Sequence, residues 1–219
     1  MTQRQRNSTD RALEAFRTGS PVLIHDAAER EGETDLIYPA GSVASEDVAR
    51  LRNDAGGLVC VALSSRVSDA LSLPFAQEII DHPAASNHDL AYDARSSFSL
   101  TVNHRDTRTG ITDEDRALTI SALAATASDR DPERFARTFR APGHVHLLRA
   151  AEGVLETREG HTEFAVALAE TAGLPPAAVV CEMLDDASGK ALAPSDARAY
   201  AERHDLPYVE GRDLLTALG

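Results

Sequence analysis

The chain has 219 residues, with 22 Lys and Arg against 35 Asp and Glu, a net charge of −13 on a length that suits one folded domain. No apolar run approaches the roughly 18–20 residues of a membrane span, and nothing apolar follows the polar start MTQRQRNSTD as a secretory signal requires, so no membrane partner is expected and the chain reads as cytoplasmic. The acidity repels a phosphate backbone, which excludes non-specific nucleic-acid binding.

Residues 1–9 are polar and are expected to form a disordered tail ahead of a single catalytic domain over 10–219. Asp10 reads as an N-cap, with Leu13 and Phe16 at helical spacing and Gly19 as the stop. VLIH and LIYPA are short apolar strands on either side of EREGETD, which is too charged for a core element. Ser45 caps a helix that carries Glu46 and Asp47 in its first turn, where acids favour the dipole. GLVCVAL is a buried strand and SDALSLP a short helix that ends before Pro74. Residues 77–95 show no periodicity and read as a long loop with His82, His88 and several Asp. FSLTV is a strand with alternating faces, Thr112 and Asp115 form a capping-box pattern, and Asp131-Pro132 opens another helix.

HVHLLR is a strand, Thr162 opens a helix that runs to Gly173, and AAVVCEML is a buried strand. A turn over Asp185–Lys190, a helix from Pro194 through Arg203 and a short strand at YVE complete the chain. Strands and helices mix without a strict βαβ period, without repeats and without a linker. The pattern predicts a single α+β domain with a mixed β-sheet flanked by helices.

Cys60 and Cys181 cannot build a disulfide scaffold or a four-thiolate zinc site. Three other places hold polar groups that a core would not want. In Arg30-Glu31-Gly32-Glu33-Thr34-Asp35 an extended backbone points three carboxylates to one side, where they repel unless a cation or polyol neutralises them. The alternative is a solvated charged loop. In Arg158-Glu159-Gly160-His161-Thr162 a glycine precedes a helix start, whose free N–H groups and dipole, with Arg158, suit a phosphate. His161 alone reads equally well as a surface cap. Glu182 closes an apolar run, where a buried carboxylate suits a general acid or base, unless it is a strand-end residue in water. His144 and His146 share one face of their strand, and His146 reads as structural rather than catalytic.

The order of these segments, EREGETDLIYPA, GLVCVAL, FSLTV with TGIT, APGHVHLLRA, REGHTEFAV and AGLPPAAVVCE, with YVE near the end, resembles the 3,4-dihydroxy-2-butanone 4-phosphate synthase family of riboflavin biosynthesis, in a monofunctional form. The resemblance runs from about Ser20 to Val209. It implies a lyase that converts D-ribulose 5-phosphate to L-3,4-dihydroxy-2-butanone 4-phosphate and formate with Mg²⁺ or Mn²⁺, working as a homodimer with its sites near the subunit interface. Residue by residue it implies that Arg30, Glu31, Glu33 and Asp35 meet substrate, and that Glu31 and His161 hold the metal. It further implies that Arg158, Glu159, Gly160, His161 and Thr162 bind the sugar phosphate with Thr109 nearby, and that His144 and Glu182 are catalytic, Glu182 also touching substrate. Arg108 departs from the family's usual threonine, and Asn103 and His104 stand where acidic or small residues are common. The rival reading is a non-catalytic sugar-phosphate or nucleotide binding protein on the same fold. A Schiff-base aldolase is disfavoured, because Lys190 is the sole lysine and falls in a predicted turn.

Near-complete replacement of Lys by Arg with added acids suggests a salt-adapted or GC-rich source, that is, an acidic proteome. Self-repulsion from a net charge of −13 weakens the compact state at low ionic strength, and screening relieves it. The melting temperature should therefore rise between about 0.1 and 2 M KCl. A flat or falling melting curve would remove the salt-adapted reading.

Overall fold

The computed structural model describes the chain except for residues 1–2, 27–31, 86–89, 91–92 and 94, and except for the side chains of 3–7. Seven strands form one mixed sheet: β1 (Val22–His25), β2 (Thr34–Pro39), β3 (Cys60–Leu63), β4 (Phe98–His104), β5 (Phe139–Arg149), β6 (Ala177–Glu182) and β7 (Tyr208–Glu210). Their order is β4-β5-β3-β6-β2-β1-β7. The helices among the described residues are α1 (Gln3–Arg17), α2 (Ser45–Asp54), α3 (Ser65–Ala70), α4 (Ala76–Ile79), α5 (Asp113–Asp129), α6 (Pro132–Thr138), α7 (His161–Thr171), α8 (Pro194–Arg203) and α9 (Gly211–Leu218). None is long and apolar enough to cross a membrane.

The sheet is buried on both faces, which explains why its central strands read as continuous apolar runs rather than alternating ones. Leu36, Val61, Val179 and Leu147 pack on one side against α2, α5 and α8 through Leu51, Ile120, Leu123 and Tyr200. Ile24, Ile37, Cys60 and Val180 pack on the other side against α1, α7 and α9 through Phe16, Phe164, Leu168 and Leu214. Burial of side chains of this size is worth roughly 1.5–3 kcal/mol each. Two apolar layers therefore hold one α+β domain.

Three pairings position the functional side chains. β2 runs antiparallel to β6 with Asp35 opposite Glu182. β3 runs antiparallel to β6 and parallel to β5, so Cys60 faces both Val180 and His146. β4 and β5 are antiparallel with register shifts between Phe98 and Thr101 and between Val102 and Asn103. The second shift surrounds the cis Ala141–Pro142 bond and Gly143, and it lets β5 run from Phe139 rather than from His144 as the sequence suggests.

Elsewhere the structure moves boundaries. α1 begins at Gln3, well before the Asp10 cap, so part of the polar stretch assigned to a tail is helical. The cap of α2 falls on Ala44, whose N–H donates to Asp47 Oδ2 at 2.9 Å. α9 follows β7 directly and was not foreseen. The long loop over 77–95 holds α4 and a 3₁₀ turn over Pro83–Ala85, and His88 lies outside the described residues.

Gly143 has no room for a side chain: a Cβ there would stand 2.0 Å from the Val102 carbonyl carbon and 2.3 Å from the Asn103 nitrogen. Backbone cannot yield as a flexible side chain can. Gly143→Ala should therefore destabilise the fold by about 1–3 kcal/mol, read as a melting point lower by several degrees. An unchanged melting point would mean that β4 and β5 do not approach this closely.

Candidate active site

The β2–β6 pairing, the start of α7 and the start of β4 enclose a pocket of about 300 Å³. Asp35, Glu182, His161, Thr162, Arg158 and Glu33 line it, together with Cys60, Val180, Leu148, Phe98, Leu90, Ser96 and Ser97. Asp35 is buried on β2, and Glu182 is half-buried at the end of β6, between the two alternatives that the sequence left open. Gly56 N–H donates to the Glu182 carbonyl at 2.6 Å and fixes that strand end. Glu33 is tied to Asp26 by its own N–H, donating to Asp26 Oδ1 at 3.0 Å, and by its carbonyl, which accepts Asp26 N–H at 3.1 Å.

α7 begins at His161 with Gly160 as its N-cap, in extended conformation and without a side-chain cap bond. His161 is buried, which excludes the surface-cap alternative, and its Nδ1 stands 3.5 Å from Asp35 Oδ1. Glu159 is exposed on the approach to the helix.

Arg158 lines the pocket, but two of its nitrogens are engaged. Nε pairs with Asp93 Oδ2, and Nη1 donates to Glu163 Oε2 at 2.8 Å. Glu163 is fully buried, and its other oxygen accepts Ala151 N–H at 2.9 Å. Burial pushes the Glu163 carboxyl above the usual carboxylate range, against the pull of Arg158 and the Ala151 N–H. Burial works against the Arg158 charge, but Glu163 and Asp93 outweigh it and hold the guanidinium protonated. Sequence reasoning missed both acids. The available signal was Glu163 itself, an acid one residue past the GHT segment at the head of an apolar helix.

Cys60 forms the floor of the pocket. Burial, followed by the nearby Glu182, Cys181 and Asp35, pushes its thiol far up, so it stays neutral. His146 packs edge-on against Phe98 with ring centroids 5.9 Å apart, and burial lowers its pKa. His146 does not itself line the pocket; it packs behind Phe98, which does.

His144 and Thr109 do not line this pocket. They meet each other through Asn103, which is buried at the β4–β5 register shift. His144 N–H donates to Asn103 Oδ1 at 2.8 Å, and Asn103 Nδ2 approaches His144 Nδ1 at 3.1 Å and the Thr109 carbonyl at 3.4 Å. With the amide as donor, His144 Nδ1 accepts and the ring proton sits on Nε2. Asp115 Oδ2 accepts Gly110 N–H at 2.8 Å and Thr109 N–H at 3.3 Å. These N–H groups, Gly110 first, hold the Asp115 carboxyl below its usual range. Asn103, a departure at the sequence level, is thus the strut that joins His144 to the TGIT turn. Ile111, next to Gly110 in the chain, and Leu118, on α5, are 51% and 40% exposed.

Arg30 and Glu31 lie outside the described residues. Among the described residues no group of three or more His, Cys, Asp or Glu is placed to hold a metal. The donor chemistry that is described, the His161 imidazole beside Asp35 with Glu33 and Glu182 on the same pocket, fits a hard divalent ion that keeps open positions.

A mixed-sheet α+β domain whose pocket combines carboxylates, an imidazole and an arginine at a helix start has the donors that a phosphate and a divalent metal call for. The model of the 3,4-dihydroxy-2-butanone 4-phosphate synthase family matches residues 10–217. The 3,4-dihydroxy-2-butanone 4-phosphate synthase of Methanosarcina mazei is 49% identical over 95% of this chain and 90% of its own length. A solved structure of 3,4-dihydroxy-2-butanone 4-phosphate synthase in complex with two magnesium ions superposes with a TM-score of 0.80 at 33% identity, covering 93% of this chain and 92% of that one. A two-domain 3,4-dihydroxy-2-butanone 4-phosphate synthase from A. baumannii gives 0.80 at 32% identity, with 94% of this chain spanning 56% of that longer one. The chain belongs to the 3,4-dihydroxy-2-butanone 4-phosphate synthase family.

Proposed function

We propose that the chain is a divalent-metal-dependent carbon–carbon lyase of riboflavin biosynthesis. It converts D-ribulose 5-phosphate to L-3,4-dihydroxy-2-butanone 4-phosphate and formate. The observation that carries this reading is the convergence of Asp35, Arg158, His161, Thr162 and Glu182, from distant parts of the chain, on one pocket in a member of this family. Membership in a family of enzymes favours this reading over a non-catalytic binding protein on the same fold.

The reaction removes a proton beside a carbonyl, loses water, rearranges the carbon skeleton and releases one carbon. Arg158 and the N–H groups at the start of α7, from Gly160 through Thr162, hold the phosphate, with Glu159 at the rim. Glu33 and Asp35 orient the substrate hydroxyls, with Arg30 and Glu31 as further contacts. Glu182 moves protons at the substrate carbon chain, because a carboxylate at a strand end beside a neutral thiol has few competing partners. His161 and Glu31 are the residues that would hold Mg²⁺ or Mn²⁺, and such an ion would polarise the substrate carbonyl and stabilise the negative charge that develops beside it. The magnesium complex of the related structure supports this metal reading.

His144 is the second proton carrier, and Thr109 stands near the phosphate. Neither lines the pocket of its own chain, His144 is exposed, and the apolar side chains of Ile111, in the turn that holds Thr109, and of Leu118 are exposed as well. These observations support a homodimer in which His144 and Thr109 of one chain complete the pocket of the other. Two free, buried thiols, Cys60 and Cys181, suit a reducing compartment such as the cytoplasm.

The purified chain with Mg²⁺ and ribulose 5-phosphate should release formate, at low or high salt. Glu182→Gln should fold and lose about 100-fold or more of that activity. No formate from the wild type sinks the lyase reading, and near wild-type turnover by Glu182→Gln assigns the proton transfer elsewhere.

A further inference from the structure

We infer that Asp93 is a built-in competitor for the substrate phosphate at Arg158, and that Glu163 is the positioning residue that holds Arg158 when Asp93 yields. The inference rests on the reading of Arg158 as a phosphate contact.

A guanidinium offers two edges for fork-like contact with an oxyanion, Nε with Nη2 and Nη1 with Nη2. At Arg158 each edge is half occupied: Asp93 takes Nε and Glu163 takes Nη1. Nη2, shared by both edges, has no acceptor among the described residues, and the residue lines the pocket. A phosphate that takes either edge in full must displace one carboxylate.

The two carboxylates are not equivalent. Glu163 is fully buried, and its second oxygen accepts Ala151 N–H. Withdrawing it would orphan an amide and leave a charge stranded in the interior. The Asp93 side chain is 16% exposed. It belongs to the segment in which Leu90 and Ser96 also wall the pocket. Asp93 is the one that gives way, its oxygen replaced on Nε by a phosphate oxygen.

Charge points the same way. Arg158 with two carboxylates sums to −1, which repels a phosphate dianion. With Asp93 withdrawn, the remaining Arg158–Glu163 pair is neutral. Every productive binding event then includes the cost of breaking the Asp93 contact. A neutral sugar, unable to offer a competing oxyanion, leaves that contact intact, so Asp93 tempers the affinity for phosphorylated ligands without touching that for unphosphorylated ones.

The test uses KM for ribulose 5-phosphate and, independently of turnover, the affinity for inorganic phosphate measured by calorimetry on the full chain. Asp93→Asn should lower KM and tighten phosphate binding by about fivefold, the scale of one partly exposed ion pair. Glu163→Gln should move both in the opposite direction, by about tenfold or more, as expected when a buried charge partner is removed. Weaker phosphate binding in Asp93→Asn would make Asp93 a second clamp, and unchanged binding would mean that phosphate does not use Nε. Either result overturns the inference. Wild-type chain that binds phosphate with these shifts but makes no formate would contradict the lyase reading and leave the competition standing.

Discussion

The antiparallel pairing of β2 with β6 is the constraint on which the site depends. It sets Asp35 directly opposite Glu182, where two carboxylates on adjacent strands repel each other. A slip of one residue would turn both to the other face of the sheet and into an apolar core. The register is held by the apolar pairs behind them, Leu36 with Cys181 and Ile37 with Val180, each buried between helices. Core packing thus forces the acids together, and they face a pocket in which a cation or a polyol would relieve the repulsion.

The same economy appears on α7. Its apolar face packs against the sheet through Phe164, Ala165 and Leu168. That packing fixes the helix start, so His161 arrives beside Asp35 and both His161 and Thr162 line the pocket. Glu163 sits within this buried face and trades its desolvation cost for a hold on Arg158 and on the loop at Ala151.

Much of this was legible in the sequence, because apolar runs bounded by turn residues report strands well. β1, α8 and β7 carry the expected bounds, and Thr112 and Asp131 cap their helices as their residue types suggest. The chemistry at GHT and CE was visible as charge inside apolar context. What escaped depends on long-range contact. α1 extends over a polar stretch that carries no apolar period of its own. α9 is short, and its apolar stripe acquires meaning only against α1 and α7. Asp93 and Glu163 meet on Arg158 from positions 65 and 5 residues away, and no local pattern announces such a meeting. The strut role of Asn103 was hidden because it needs the β4–β5 register shift and the tight Gly143 contact.

One sheet therefore carries two separate groups of polar side chains, the pocket at β2, β6 and α7 and the His144–Asn103–Thr109 cluster at β4 and β5. The central claim is that two copies of the chain join these groups into working sites. Subunit complementation tests it most directly. His144→Ala and His161→Ala chains, each inactive alone, are mixed, unfolded and refolded together, and formate release is measured. In a mixed dimer one pocket then has both His161 and the partner chain's intact His144. The account predicts recovery of about a quarter of wild-type activity for random pairing of equal amounts. A mixture as inactive as its parents would contradict it and place the whole site within one chain.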